Sequence, residues 1–462
     1  MRNAFLDSRL SSPAEAAKRL RLSAALWWSV FLWILLWSGY NTGIYVVQAP
    51  NFPADTLQLV QGIRAFFPLV AGWLAIVTLL RKGGARLWAL VGPVGLLGVF
   101  TAAGLLSSGL ISKYPLDALY WGGMYGAVLI VLVAVCSDAD AVPILSRVIT
   151  VNWMIDILIL LGLLGAIPFL GGAALSQAHG NPLGLQAYAG QMAANGTILG
   201  MASTRNTGLA RYAAVAGLVA LGRLWKENLF RKLIWVAVLL VALYTLVLAQ
   251  ARTETIGFLA GLMAILVLRK SRRTLLLGAG TLGVVLLYLV GFFHDLWVFG
   301  TQSRGGHGFD PTLTGRTNQW MQGLAATLHS PWLGLGFQAD RYYLHGVQLE
   351  NAVSQALIQA GILGTVAFVA AFALAWYMLV RLYTSKLARQ LPDEIPGILV
   401  FFTVMSITES TVYYSADWLL LAPVLGYIQV LAWQQGIVSF GAITLGHRAA
   451  LVNPRTSAED LR

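Results

Sequence analysis

Charge is scarce in this chain. Asp, Glu, Lys and Arg make up only 11% of its 462 residues, against roughly a quarter in an ordinary soluble domain. Cysteine is scarcer still. Cys136 stands alone inside an apolar run, which excludes an intramolecular disulfide and any cysteine-built metal cluster. Acids are outnumbered, 19 against 31 Lys and Arg. Long polar intervals are almost missing. The two longest are 293–351 and 171–206.

What is abundant is apolar sequence. Hydrophobic residues reach 58% and the mean hydropathy is +0.71. Apolar stretches of about 18 or more residues recur, and only helices satisfy their own backbone in lipid at that length. The predicted fold class is therefore all-α, a polytopic integral membrane protein with about twelve transmembrane helices. Spans are expected at 24–46, 61–80, 87–106, 117–136, 148–170, 207–222, 233–251, 254–268, 274–292, 352–380, 395–412 and 416–435. The run 24–36 lacks a small-residue cleavage site and reads as a first span rather than a removed signal. The chain divides into helices 1–9 over 1–292, an extracytoplasmic loop with short helices over 293–351, helices 10–12 over 352–435, and a tail over 436–462.

The net charge of +12 is a question of membrane side before it is one of nucleic acid, for which nothing else argues. An even number of spans puts both termini on one side. Most basic residues then share that side, from Arg2 and Arg9 through Arg81, Arg223 and Arg269 to Arg462. By the positive-inside rule it is cytoplasmic. The basic residues left on the outer side are Arg64, Lys113, Arg205, Arg211, Arg252, Arg304, Arg316 and Arg341. Snorkelling to the head groups explains such residues in general. Arg205, Arg211, Arg252 and Arg316 lie beside span ends in polar sequence, where a guanidinium fork suits an anion such as phosphate. Glu254 is a local ion-pair partner for Arg252. Asp156, in mid-span, reads as a structural partner of Asn152 or of another helix.

Three stretches follow one another on the outer side. They are Leu313-Thr-Gly-Arg316-Thr-Asn-Gln-Trp320, then Ser330-Pro-Trp-Leu-Gly-Leu-Gly-Phe337, then Glu350-Asn351-Ala-Val-Ser-Gln-Ala-Leu-Ile-Gln-Ala-Gly361-Ile-Leu-Gly364. Their order resembles the signature of the O-antigen ligase and Wzy-type polysaccharide polymerase superfamily. Ala251-Arg252 resembles a Ser-Arg element of those proteins. Thr204-Arg205-Asn206 through Arg211-Tyr212 resembles the element opening an earlier span, and Glu409 resembles a family acid. In the ligases the polar pair that opens the tenth span is His-Asn. Here it is Glu350-Asn351, which looks more like the polymerases.

The resemblance implies a GT-C-like membrane glycosyltransferase in a cell inner membrane, its site facing the periplasm. The donor it implies is a glycan on undecaprenyl diphosphate, and the acceptor a sugar hydroxyl. The polymerase reading puts that hydroxyl on another lipid-linked repeat; the alternative, an O-antigen ligase, puts it on lipid A-core. A base is needed for the hydroxyl and cations for the departing diphosphate. Glu350, Asn351 and Arg316 are the catalytic candidates; Arg205, Arg211 and Arg252 the diphosphate-binding ones. Glu409, His345 and Arg64 are further candidates, His345 as a substitute base. No Asp-x-Asp pair or ligand-spaced His/Asp/Glu set occurs on the outer side, so no metal or other cofactor is expected. Expected partners are membrane lipids and the flippase and chain-length regulator of the same pathway. A transporter of polysaccharide or lipid is the competitor of a different class. It calls for paired Gly/Pro-broken spans in two related halves, and residues 1–230 show no similarity to 231–462.

Overall fold

The computed structural model describes residues 69–81, 83–176, 207–249, 252–269, 316–344, 349–385, 391–409 and 415–437. Among the described residues every regular element is a helix. In chain order they are α1 (Leu69–Arg81), α2 (Leu87–Leu90), α3 (Pro93–Leu110), α4 (Pro115–Cys136), α5 (Ala141–Ser176), α6 (Thr207–Leu224), α7 (Leu229–Ala249), α8 (Arg252–Arg269), α9 (Arg316–Thr327), α10 (Ala339–Tyr343), α11 (Ala352–Thr384), α12 (Glu394–Thr408) and α13 (Ser415–Gln434). Five carry windows long and apolar enough to cross a membrane: α3, α4, α5, α7 and α11. Shorter apolar helices run over Leu69–Arg81, Thr253–Leu268, Glu394–Ile407 and Trp418–Gln434. The protein is a multi-pass membrane protein. The expected spans 24–46 and 274–292 lie outside the described residues.

Two starts differ most from the sequence reading. The helix expected from 148 already begins at Ala141. The span expected at 87–106 begins instead at Pro93, after a separate turn at α2. Gly92, at φ 152°, breaks the helix and Pro93 restarts it at N1, the position where a missing N–H costs least. The freed polar groups find partners on α13, where Trp433 Nε1 donates to the Val91 carbonyl at 3.0 Å. Gln429 Oε1 accepts from Val94 N at 2.9 Å, and its Nε2 donates to the Trp88 and Ala89 carbonyls at 2.8 and 3.1 Å.

Close crossings use small residues, as membrane helices do where lipid supplies no hydrophobic drive between them. A Cβ on Gly261 of α8 would sit 2.6 Å from the Gly397 carbonyl of α12. Buried Asn152 of α5 donates to the Leu419 carbonyl of α13 at 3.0 Å, so this amide joins two helices rather than serving Asp156 one turn on. At one end of the bundle, Arg223 pairs with Glu394 at 2.7 Å and Lys226 with Asp393 at 3.2 Å.

The opposite end carries the feature that positions the site. The segment 331–337 enters the bundle beside α11, which breaks at Gly361 (φ 63°, ψ −165°). In an unbroken helix the 362 and 363 amides would bond the 358 and 359 carbonyls. Here the loop takes both sides of those two bonds. Leu335 N and Gly336 N donate to the Ile358 and Gln359 carbonyls at 2.7 and 3.0 Å; Ile362 N and Leu363 N donate to the Pro331 and Trp332 carbonyls at 2.8 and 3.3 Å. The two carbonyls and two amides released by the break are thus kept from lipid. Only glycine fits the contact. A Cβ on Gly334 (φ +76°) would meet Gly361 N at 2.5 Å, and one on Gly361 would meet the Trp332 carbonyl at 2.4 Å. Phe337 anchors the insertion. Its N–H donates to Ser108 Oγ at 3.0 Å, its ring stacks on Tyr125 at 5.1 Å, and Gly104 and Gly122 leave the room it fills.

Candidate active site

The helix directions bring together residues that are far apart in sequence. The starts of α6, α8 and α11 and the end of α12 lie at the same end of the bundle, the end into which 331–337 is inserted. Buried Arg211, one turn into α6, places Nη2 3.7 Å from Glu409 Oε2 and 3.9 Å from Glu254 Oε1. A buried guanidinium near a span end is costly alone; two carboxylates compensate it. The distances are those of ion pairs longer than a hydrogen bond. Glu409 is not inside its span. It is the C-cap of α12, with extended backbone (φ −135°, ψ 162°).

Asn351 is the N-cap of α11. Its Oδ1 accepts from Ser354 N at 2.8 Å, while Nδ2 donates to the Ile407 carbonyl at 2.7 Å. One side chain therefore closes the start of α11 and ties it to the last turn of α12, two residues before Glu409. Half-buried Glu350 stands beside this tie. Glu350–Asn351 and the Arg211–Glu254–Glu409 cluster are parts of one region.

The backbone before Glu350 is held by a residue that sequence reasoning missed as a member of the site. Asp340 of α10 is completely buried. Its Oδ2 accepts from Leu349 N and from Gln355 Nε2, both at 3.2 Å. Burial pushes its carboxyl above the ordinary carboxylate range, against the lowering effects of the Leu349 N–H, the Arg341 charge and the Gln355 amide. Glu254 was read only as a neighbour of Arg252; the fold brings it to Arg211. The available signal was an acid in the first turn of a span. For Asp340 and Gln355 it was weaker, a carboxylate and an amide flanking the polar pair.

Arg252 and Arg316 head α8 and α9, but their side chains lie outside the described residues. Arg205, His345 and Arg64 lie outside them entirely.

Residues 237–369 match the family described as O-antigen ligase. Over 193 residues, 36% of this chain, the sequence is 31% identical to the exopolysaccharide production protein ExoQ of Rhizobium meliloti (strain 1021). The chain spans 41% of that relative's length. Both likenesses support the resemblance to the O-antigen ligase and Wzy-type superfamily. The family match includes Glu254, Arg316, Asp340, Glu350, Asn351 and the break at Gly361; Arg211 and Glu409 fall outside it.

Proposed function

We propose that the protein is an inner-membrane glycosyltransferase that joins oligosaccharide repeats carried on undecaprenyl diphosphate into a surface polysaccharide, at the periplasmic face. The observation that carries this reading is the Asn351–Ile407 tie, which holds Glu350 beside the helix end that bears Glu409 and its partner Arg211. A carboxylate at the rim of a bundle, next to a buried charge cluster, suits proton transfer from a sugar hydroxyl.

In this mechanism Glu350 takes the proton of the acceptor hydroxyl as its oxygen forms a bond to the anomeric carbon of the donor. The bond from that carbon to the diphosphate oxygen breaks, and the electron pair leaves with the polyprenyl diphosphate. Arg205, Arg252 and Arg316 meet its charge, the last two at helix N-termini where anions are favoured. Arg211, engaged with two carboxylates, orders the site. No metal enters these steps, and activity is expected to survive a chelator. A flippase supplies the donor and a chain-length regulator acts on the product.

The test is Glu350→Gln in a strain lacking the chromosomal copy, with polymer length as readout. Loss of long chains, the protein still in the membrane, is expected; wild-type chains would remove Glu350 from this role. The second reading, ligation of finished glycan to lipid A-core, is favoured by the description of the matching family. A deletion strain separates the two. Accumulation of single repeats supports the polymerase, and full-length polymer on its lipid carrier supports the ligase.

A further inference from the structure

The helix α9 has two apolar faces and uses one. Trp320, Gly323, Ala326 and Thr327 turn toward the small core formed by Leu335, Leu344, Leu349 and Ile358. A Cβ on Gly323 would lie 2.8 Å from the Leu349 side chain, so the helix is seated closely on the strand of chain leading to Glu350. The other face repeats at i, i+3, i+4 and i+7, the spacing of an apolar stripe. It consists of Met321, Leu324 and Ala325, with Leu328 in the turn that follows the helix. Met321 is 65% exposed, Leu324 49% and Leu328 73%. Trp332, beyond the end of the helix, continues the stripe at 63%. Exposed Asn318, Gln322 and His329 form a polar edge on one side of it.

Two observations say what covers this face. The first is depth. α3 has 18 residues, about 27 Å of helix, which matches a hydrocarbon core of roughly 30 Å. The inserted loop bonds its last turns: Ser107 Oγ donates to the Gly334 carbonyl at 2.7 Å, and Ser108 Oγ accepts from Phe337 N. The loop therefore lies at the level of the membrane boundary. α11 agrees. Its 33 residues make about 50 Å, more than the hydrocarbon requires, and the break at Gly361 falls where the excess ends. The second observation is continuity. Trp332 lies against the restart of α11 through the Leu363 N–H bond to its carbonyl. There the exposed residues Ile362, Leu363, Val366 and Val369 form the lipid-facing side of that helix. The stripe of α9 prolongs the exposed apolar surface of a helix long and apolar enough to cross a membrane.

We propose that α9 is an interfacial foot. Its Met321–Leu324–Leu328 stripe and Trp332 rest in the acyl-chain boundary of the leaflet at the site end, with Asn318, Gln322 and His329 at the head groups. Tryptophan at that level is the expected anchor. Because α9 is seated on Leu349, the foot sets the height of Glu350 above the lipid.

The test uses the full chain in liposomes with single spin labels on Cys introduced at 321, 324, 328 and, for comparison, 322; native Cys136 is buried. The ratio of oxygen to water-soluble nickel accessibility is expected to be several-fold higher at 321, 324 and 328 than at 322. Equal, nickel-accessible labels at all four would overturn the foot. Labels shielded from both agents and broadened by a neighbouring spin would assign the stripe to a second copy of the chain and also overturn it. Should the variants fail to insert, the unsubstituted protein is illuminated in vesicles containing lipids with a photoreactive group near the carbonyl end of the acyl chain. Adducts within 321–332 support the proposal, and adducts confined to the spans refute it.

Discussion

Asn351 joins two helices with one amide. Its oxygen caps α11 through Ser354 N at 2.8 Å, and its nitrogen holds the Ile407 carbonyl of α12 at 2.7 Å. The two bonds are separable by substitution. Asn351→Asp keeps the capping acceptor and loses the donor, whereas Asn351→Ala loses both. The cap is worth about 1 kcal/mol. Asn351→Asp is expected to retain thermal stability within that amount and to lose polymer output. Stability is read by thermal melting in detergent and output by glycan length. An Asp variant with full output would show that the tie to α12 is not needed.

Asp340 carries a pH dependence whose sign follows from its raised folded-state pKa. An acid that holds its proton more tightly when folded is least unfavourable at low pH. Its cost grows as pH rises from the unfolded value of 3.8 and is complete above the folded value. Asp340→Asn removes that cost and keeps an acceptor for Leu349 N. The variant is expected to match or exceed the wild-type melting temperature near neutrality, the gap closing toward about pH 4. Asp340→Ala leaves the Leu349 N–H and the Gln355 amide without this acceptor and is expected to lose about 1–3 kcal/mol. Melting curves of the three proteins across pH check both.

Gly361→Ala meets two penalties at once, a left-handed backbone and a Cβ 2.4 Å from the Trp332 carbonyl. The backbone alone costs on the order of 1–3 kcal/mol. Expected results are poor recovery of folded protein and protease cleavage within 331–337. Gly364→Ala lacks the backbone part, but the break brings its Cβ to 2.2 Å from the Ala360 Cβ, so it too is expected to lower the recovery of folded protein.

Arg211→Gln removes the buried cation that faces Glu254 and Glu409. Breaking such a group by removing one partner costs about 3–5 kcal/mol. Folded yield should fall, and Glu254→Gln in the same chain should restore part of it, because it removes one of the two carboxylates that faced Arg211. Fluorescence-detected size-exclusion measures both. No recovery would mean that Arg211 matters for contacts other than this charge balance.

Much of the architecture was readable in one dimension. Apolar runs place α4, α6, α7, α8, α11, α12 and α13 within a few residues of their observed limits, because a membrane leaves the backbone few alternatives. The start of α3 was misjudged because Gly92-Pro93 looks apolar in hydropathy. The break matters only when Gln429, more than three hundred positions later, arrives to bond its ends. Gly334, Gly336 and Gly361 all adopt positive φ angles, which a glycine in sequence permits but does not announce. Their exchange of two helical hydrogen bonds was not visible.

The sequence by itself determined the membrane class and the placement of most spans, and it named candidate residues at the edges of the long polar interval. Hydropathy and charge asymmetry are local quantities, summed along the chain. Only the tertiary structure decided that Arg211 faces Glu254 and Glu409, that Asn351 reaches Ile407, and that buried Asp340 holds the backbone before Glu350. These are pairings between helices, and a pairing depends on rotation and depth in a bundle, which no single helix specifies.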